Sequence, residues 1–224
     1  MQGGIDDVGL GVLFGLSTYR YEFSGLLLHA EHLEAVFGVG PHTISVPRLR
    51  SADDIDPSQF SNCVPDNIFA KIVALIRIAV PYTGMIVSTR ESQKTREQVL
   101  KLGISQISGG SKTSVGGYAR PDTRSLDEVI NWLMRLGYVP SFCTACYRSG
   151  RTGDRFMELC KAKQIHNCCH PNAIMTLEEF LTDYASADTK AVGEKLIAQE
   201  LKTFSPKLAD IIQERLDKIR SNRG

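Results

Sequence analysis

Short apolar runs alternate with stretches of helical periodicity over the first 136 residues. Residues 7–15, DVGLGVLFG, form an apolar run bounded by glycines, as expected of a strand buried on both faces. Leu26, Leu27, Leu33 and Phe37 then recur at helical spacing, and GVGP at 38–41 closes that helix before HTISVPR at 42–48 reads as a second strand. Residues 49–66 are rich in Asp and Ser and broken by Pro57 and Pro65, a long loop of the kind that often carries function. The alternation continues with helix 67–80, strand 84–88, helix 91–102 and strand 104–109, Ser88 and Glu91 forming a capping box and Gly103 a stop. A glycine-rich loop, SGGSKTSVGGYARPDTR, precedes helix 125–136, which has its own capping box at Ser125 and Glu128 and ends at Gly137.

Such strand–helix units predict an α/β fold with parallel strands; four of them fit half of an eight-stranded barrel or a small open sheet, and periodicity does not choose. Past Gly137 the alternation stops. Helices at 176–186, 187–202 and 205–220, the first opened by Thr176 with Glu179, divide the chain into an α/β domain, 1–136, and a helical domain, 137–224. The first residues enter directly into a strand pattern, so the expectation is a fragment of a longer fold.

Composition narrows the function classes. With 42% hydrophobic and 23% charged residues the 224-residue chain is globular, and no apolar run approaches a membrane span. The start MQGGIDDVG has no signal-peptide character, which predicts a cytoplasmic protein with no membrane partner. A net charge of +1 gives no general call for nucleic acid, although Arg148, Arg151 and Arg155 cluster.

Five of the six cysteines lie between Ser141 and Pro171. A cytosolic chain keeps thiols reduced, so the cluster points to metal or catalysis rather than to disulfides. Cys143 and Cys146 form C-x-x-C, the spacing at which one tight loop offers two thiolates to one centre. Cys160, at helical spacing with Phe156, is equally well a small buried hydrophobe, and Cys63 is incidental. Structural zinc would take Cys143, Cys146, Cys168 or Cys169, and His166 or His170. An iron-sulfur cluster would take thiolates alone, and one held by three leaves an iron open to another ligand. The nearby guanidiniums would offset a thiolate-rich centre but also suit a solvated helix end, so the residues by themselves leave both metals open.

The segment FCTACYRSGRTGDRFM, 142–157, resembles the cluster motif of the radical SAM tyrosine lyases that mature the FeFe-hydrogenase H-cluster, the HydG family. The C-x2-C-x22-C spacing of Cys143, Cys146 and Cys169 is similar to the family's auxiliary-cluster spacing, and GGIDDVGLGVLFGL, GVGPHTISVPRLR and SVGGYARPDTRSLDEVINWL extend the resemblance over nearly the whole chain. The thiamine-pathway tyrosine lyase, 2-iminoacetate synthase, shares the α/β segments but not the arginine-rich cysteine block.

That resemblance implies the C-terminal part of a radical SAM (β/α) barrel followed by a helical auxiliary-cluster domain. It implies S-adenosylmethionine and a 4Fe-4S cluster for cleaving tyrosine to p-cresol and dehydroglycine. A second, auxiliary 4Fe-4S cluster on Cys143, Cys146 and Cys169, with an additional iron, would then serve formation of carbon monoxide and cyanide, and hydrogenase maturation proteins would be the partners. The SAM-cleaving C-x3-C-x2-C triad does not occur in the 224 residues, so this chain by itself is not expected to cleave SAM. A non-catalytic zinc or iron-sulfur module is the alternative.

Further positions follow from the same resemblance. Gly11 and Gly15 would lie on the SAM side, where glycine permits close backbone approach, although a strand glycine is as often simple packing. Arg48, at the C-terminal end of a strand, would bind substrate by a bidentate hold on a carboxylate or else be a solvated surface arginine, and Ser111, in the glycine-rich loop, would line the same pocket or belong to a plain connector. The additional iron calls for a histidine, and His29 on the first helix is the candidate; His42 opens a strand, at the wrong end for chemistry.

Overall fold

The computed structural model describes residues 1–51, 55–109 and 122–221. They form two compact units, one of residues 1–123 with 150–161 and the other of 124–149 with 162–224. In the first, four short strands, β1 (Gly9–Gly11), β2 (Thr43–Ser45), β3 (Gly84–Val87) and β4 (Gln106–Ile107), pair in parallel in chain order. Helices α1 (Tyr19–Phe37), α2 (Asp66–Ala79) and α3 (Gln93–Leu100) are the crossovers. Consecutive order is the winding of a (β/α) barrel, whereas a doubly wound sheet reverses direction part way.

Periodicity explains the packing. Leu26, Ala30 and Leu33 are the buried face of α1, and Phe69, Ile72, Val73 and Ile76 that of α2. Ile44, Val46, Met85 and Val87 are buried along the central strands, alternating with half-buried neighbours. The first strand departs from expectation: Gly9 and Gly11 are exposed and Leu10 half-buried, because β1 is an outer strand of the described sheet, paired there on one edge. The turn after it is held by α1, where the Glu22 carboxylate accepts from the N–H groups of Gly15 (3.1 Å) and Ser17 (2.9 Å).

The capping box expected at Ser88 and Glu91 does not cap α3, which begins one turn later. The N-cap of α3 is Ser92, whose hydroxyl accepts from the Thr95 N–H at 3.1 Å, while Glu91 points into the core. At the other end of α2, the Arg77 guanidinium donates to the carbonyls of Thr83 (2.8 Å) and Gly103 (2.8 Å), tying the αβ turns together.

The second unit contains α4 (Leu126–Arg135) and the one-turn helix α5 (Ala145–Arg148). The chain then returns to the first unit as α6 (Gly153–Lys161), where Thr152 and Gly153 bond Asp6 and Asp7, and Lys161 pairs with Glu34. Helices α7 (Ile165–Asp183), α8 (Ala187–Glu200) and α9 (Pro206–Ser221) complete the second unit. Its core joins Ile130 and Met134 of α4 to Ile174, Leu177 and Leu181 of α7, Leu196 and Ile197 of α8, and Ile212 and Leu216 of α9. Across α7 and α9, Arg220 holds the buried Glu178 with two bonds of 2.8 and 3.0 Å.

Two boundaries differ from the sequence expectation. The expected division at 136/137 separates α4 from helices it packs with; α4 carries a complete Ser125–Glu128 capping box, but its apolar face lies in the helical core. A helix was also expected to open at Thr176, yet α7 begins at Ile165 and runs through Pro171. Proline lacks only its own N–H, so the helix continues with one missing bond to the carbonyl four residues back.

Candidate metal centre

Residues 140–149 and α7 build the cysteine site within the second unit. On α7, Cys169, Ala173, Thr176 and Phe180 recur at four-, three- and four-residue steps and so share one face. Two turns beyond Cys169, that face anchors the incoming loop: the Phe142 N–H donates to Thr176 Oγ1 at 3.2 Å, and the Phe142 ring stacks on Phe180 at 5.3 Å. Thr176, expected as a helix cap, instead donates to the carbonyls of Asn172 and Ala173 and accepts from the loop. Cys143 follows directly, its N–H donating to Ser141 Oγ at 3.3 Å, and Cys146 is carried on α5.

All four thiols are half-buried, and they act on one another. Burial pushes the Cys169 thiol up, and the proximity of Cys168, Cys146 and Cys143 raises it further, to about 12. Cys168 Sγ and Cys169 Sγ stand 4.0 Å apart. His170, weighed above as a zinc ligand, is engaged elsewhere: its Nε2 lies 2.8 Å from Glu200 Oε2, and its ring packs on Phe204. The side chain of His166 lies outside the described part of the structure. Among the described side chains, the donors that act on one another here are the thiols of Cys143, Cys146, Cys168 and Cys169.

Among the described residues no three His, Cys, Asp or Glu side chains are gathered tightly enough to hold one metal ion. A tetrahedral zinc with zinc–sulfur bonds of 2.3 Å needs its thiolates about 4 Å from one another. Cys168 and Cys169, at 4.0 Å, have that spacing, but among the described residues no third ligand joins them, whereas in an iron-sulfur cluster each thiolate meets its own iron. Several neighbouring thiols, those of Cys143, Cys146, Cys168 and Cys169, are the donor type that an iron-sulfur cluster takes. A cleft of about 480 Å³ opens beside Cys143, lined by Arg148 and, from α9, Arg215 and Lys218. Arg151 and Arg155 belong to the other unit.

The remaining expected site residues are scattered. Arg48 is buried, and the carboxylate it holds bidentately is the chain's own Glu91, at 2.8 and 2.7 Å; Val64 and Asp66 accept further bonds, and the guanidinium lies over Phe69. That geometry was expected for a substrate carboxylate. His29 is exposed on the outer side of α1, one residue from the buried Ala30. His42 sits beside Asp7 and Phe156, at the start of β2. Gly11 lies on the exposed edge strand. Gly15 is buried with φ +112°, and an added Cβ would press on Leu49, so packing accounts for its glycine. Ser111 lies outside the described residues. Cys160 is on α6 in the first unit and Cys63 in the loop before α2, both in the other unit from the four thiols. The anchors Phe142 and Thr176 escaped the sequence reading, although the i, i+4, i+7, i+11 stripe from Cys169 to Phe180 was legible.

Comparison with known proteins separates the two halves of this description. Residues 45–139 match the Biotin and Thiamin Synthesis associated domain. The 2-iminoacetate synthases of Escherichia coli K12 and Salmonella typhimurium LT2 are 32% and 31% identical over 120 residues, 53% of this chain and 31% of their own length. The crystal structure of HydG, a maturase of the FeFe-hydrogenase, aligns with all of this chain at 56% identity and a TM-score of 0.92. HydG from Carboxydothermus hydrogenoformans aligns with 97% at 38% identity and a TM-score of 0.77. The chain spans about half of those maturases, 50% and 48% of their lengths. Alike over its full length in sequence and fold, the chain belongs with the HydG-like radical SAM maturases, as a C-terminal region of them.

Proposed function

We propose that this chain carries the auxiliary 4Fe-4S site of a radical SAM tyrosine lyase that serves FeFe-hydrogenase maturation, with Cys143, Cys146 and Cys169 as its thiolates. The observation that carries the reading is the convergence of the thiols in a segment that begins past residue 139, where the thiamin-associated match ends, and that the HydG alignment includes. Bound through three thiolates, the cluster supplies an iron with an open position for handling carbon monoxide and cyanide made from tyrosine. The chain's own residues do the positioning: Thr176 and Phe180 fix Phe142, hence the Cys143 loop, while α7 presents Cys169 from the same face. Arg148, Arg215 and Lys218, the last paired with Glu214, outnumber the Glu179 carboxylate in the lining of the adjoining cleft and favour anionic ligands there.

The first unit, with its consecutive parallel strands, is read as part of the (β/α) barrel in which the whole maturase cleaves tyrosine. SAM, its own 4Fe-4S cluster and the C-x3-C-x2-C triad are not assigned to these 224 residues. Hydrogenase maturation proteins in the cytoplasm are the proposed partners. The 2-iminoacetate synthase matches favour a second reading, a thiamine-pathway tyrosine lyase, for the first unit alone.

Anaerobic loading of the chain with iron and sulfide tests the proposal. About four irons and four labile sulfides per chain are expected, with loss of both in a Cys143→Ala, Cys146→Ala variant. Zinc held tightly with no labile sulfide would overturn the iron-sulfur assignment.

A further inference from the structure

We propose that Cys168 and Cys169 are alternative thiolates for a single position of this cluster, so that either one can hold the iron that the other releases. The inference rests on the cluster reading above and concerns the cysteine that reading leaves unused.

Spacing is the first support. Two thiolates on one tetrahedral metal atom with bonds of 2.3 Å stand about 3.8 Å apart, and these two sulfurs are separated by 4.0 Å. Each iron of a 4Fe-4S cube already has three sulfides and takes one further ligand. Sulfurs this close therefore address the same iron and compete for it, rather than serving two corners of the cube.

Both sulfurs also belong to stripes of α7 that border the loop carrying Cys143. The Cys169 stripe continues through Thr176 and Phe180, which hold Phe142. The Cys168 stripe continues through Asn172, Met175 and Glu179, which line the cleft shared with Cys143 and Arg148. Pro171 adds local freedom, because it offers no N–H to the Asn167 carbonyl and leaves the turn with both cysteines one backbone bond short. Exchange then needs only side-chain rotation, about 120° at a single χ1 in each residue. It is balanced: the incoming thiol releases its proton, the departing thiolate takes one up, and no iron changes oxidation state.

The test compares the unaltered chain with Cys168→Ala, Cys169→Ala, Cys169→Ser and the Cys168→Ala, Cys169→Ala double variant. Each is loaded anaerobically with iron and sulfide, and the readouts are metal and labile sulfide per chain, the reduced EPR spectrum, and far-UV circular dichroism as a folding control. The unaltered chain and every single variant should retain about four irons, with a shifted EPR signal in the Cys169 variants, and the double variant should lose them while keeping its helicity. Loss of the cluster in Cys169→Ala, or in Cys168→Ala, would overturn the shared position and leave the cluster reading standing. A cluster that survives in the double variant would overturn it as well. No cluster in the unaltered chain would overturn both.

Discussion

Arg48 shows how a single side chain changes meaning when its surroundings are known. An arginine after a parallel strand is well placed to bind a carboxylate, and the sequence makes that much legible. What the sequence hides is that the carboxylate is Glu91, 43 residues on, in a pair whose side chains are each only 1% exposed. Ser88 and Glu91 have capping-box spacing, and that local pattern masked a long-range partner. Breaking a buried pair leaves an uncompensated charge, so Arg48→Leu should cost about 3–5 kcal/mol in chemical denaturation. Asp66 adds a pH dependence. The bond from Arg48 holds its carboxyl below the ordinary value, so its contribution is complete above that value and lost as pH falls through the lower, folded one. Comparing melting temperatures of the unaltered chain and Asp66→Asn, the gap should narrow between about pH 6 and about pH 3; a constant gap would contradict the assignment.

At the scale of elements, patterns complete within one segment were readable and those completed by a neighbour were not. The Ser125–Glu128 box closes on itself, and α4 starts where it says. Thr176 and Glu179 have the same spacing but lie mid-helix, because apolar packing of Ile174, Leu177 and Leu181 and the loop on Thr176 sustain α7 on both sides of them. Gly193 on α8 gives a test of that packing. Replacing a helical glycine ordinarily stabilises, but a Cβ here would meet the side chain of Leu181, which is 1% exposed and cannot withdraw. Gly193→Val should therefore destabilise the chain by about 1–3 kcal/mol, measured by urea unfolding. An unchanged or raised midpoint would show that α7 and α8 have room between them.

For the molecule as a whole, periodicity predicted parallel strand–helix units but not which strand lies at an edge. That depends on what stands beside the sheet, which no segment encodes by itself. In the described sheet β1 and β4 are the outer strands, and β1 is largely exposed. Unpaired strand edges template association, so the isolated chain should form oligomers in light scattering, and a monodisperse monomer would argue that those edges are protected.

The thiol site was legible as residues and spacing; the structure adds that the four thiols act on one another and that His170 lies against Glu200, and the iron-sulfur assignment is our proposal. The proposed cluster, held by three thiolates, has one open iron. The most direct measurement is the Mössbauer spectrum of the chain loaded anaerobically with iron-57 and sulfide. A 4Fe-4S signature with about one iron in four distinct from the rest is the predicted result. Four equivalent irons, or a chain that takes up zinc and no iron, would contradict it.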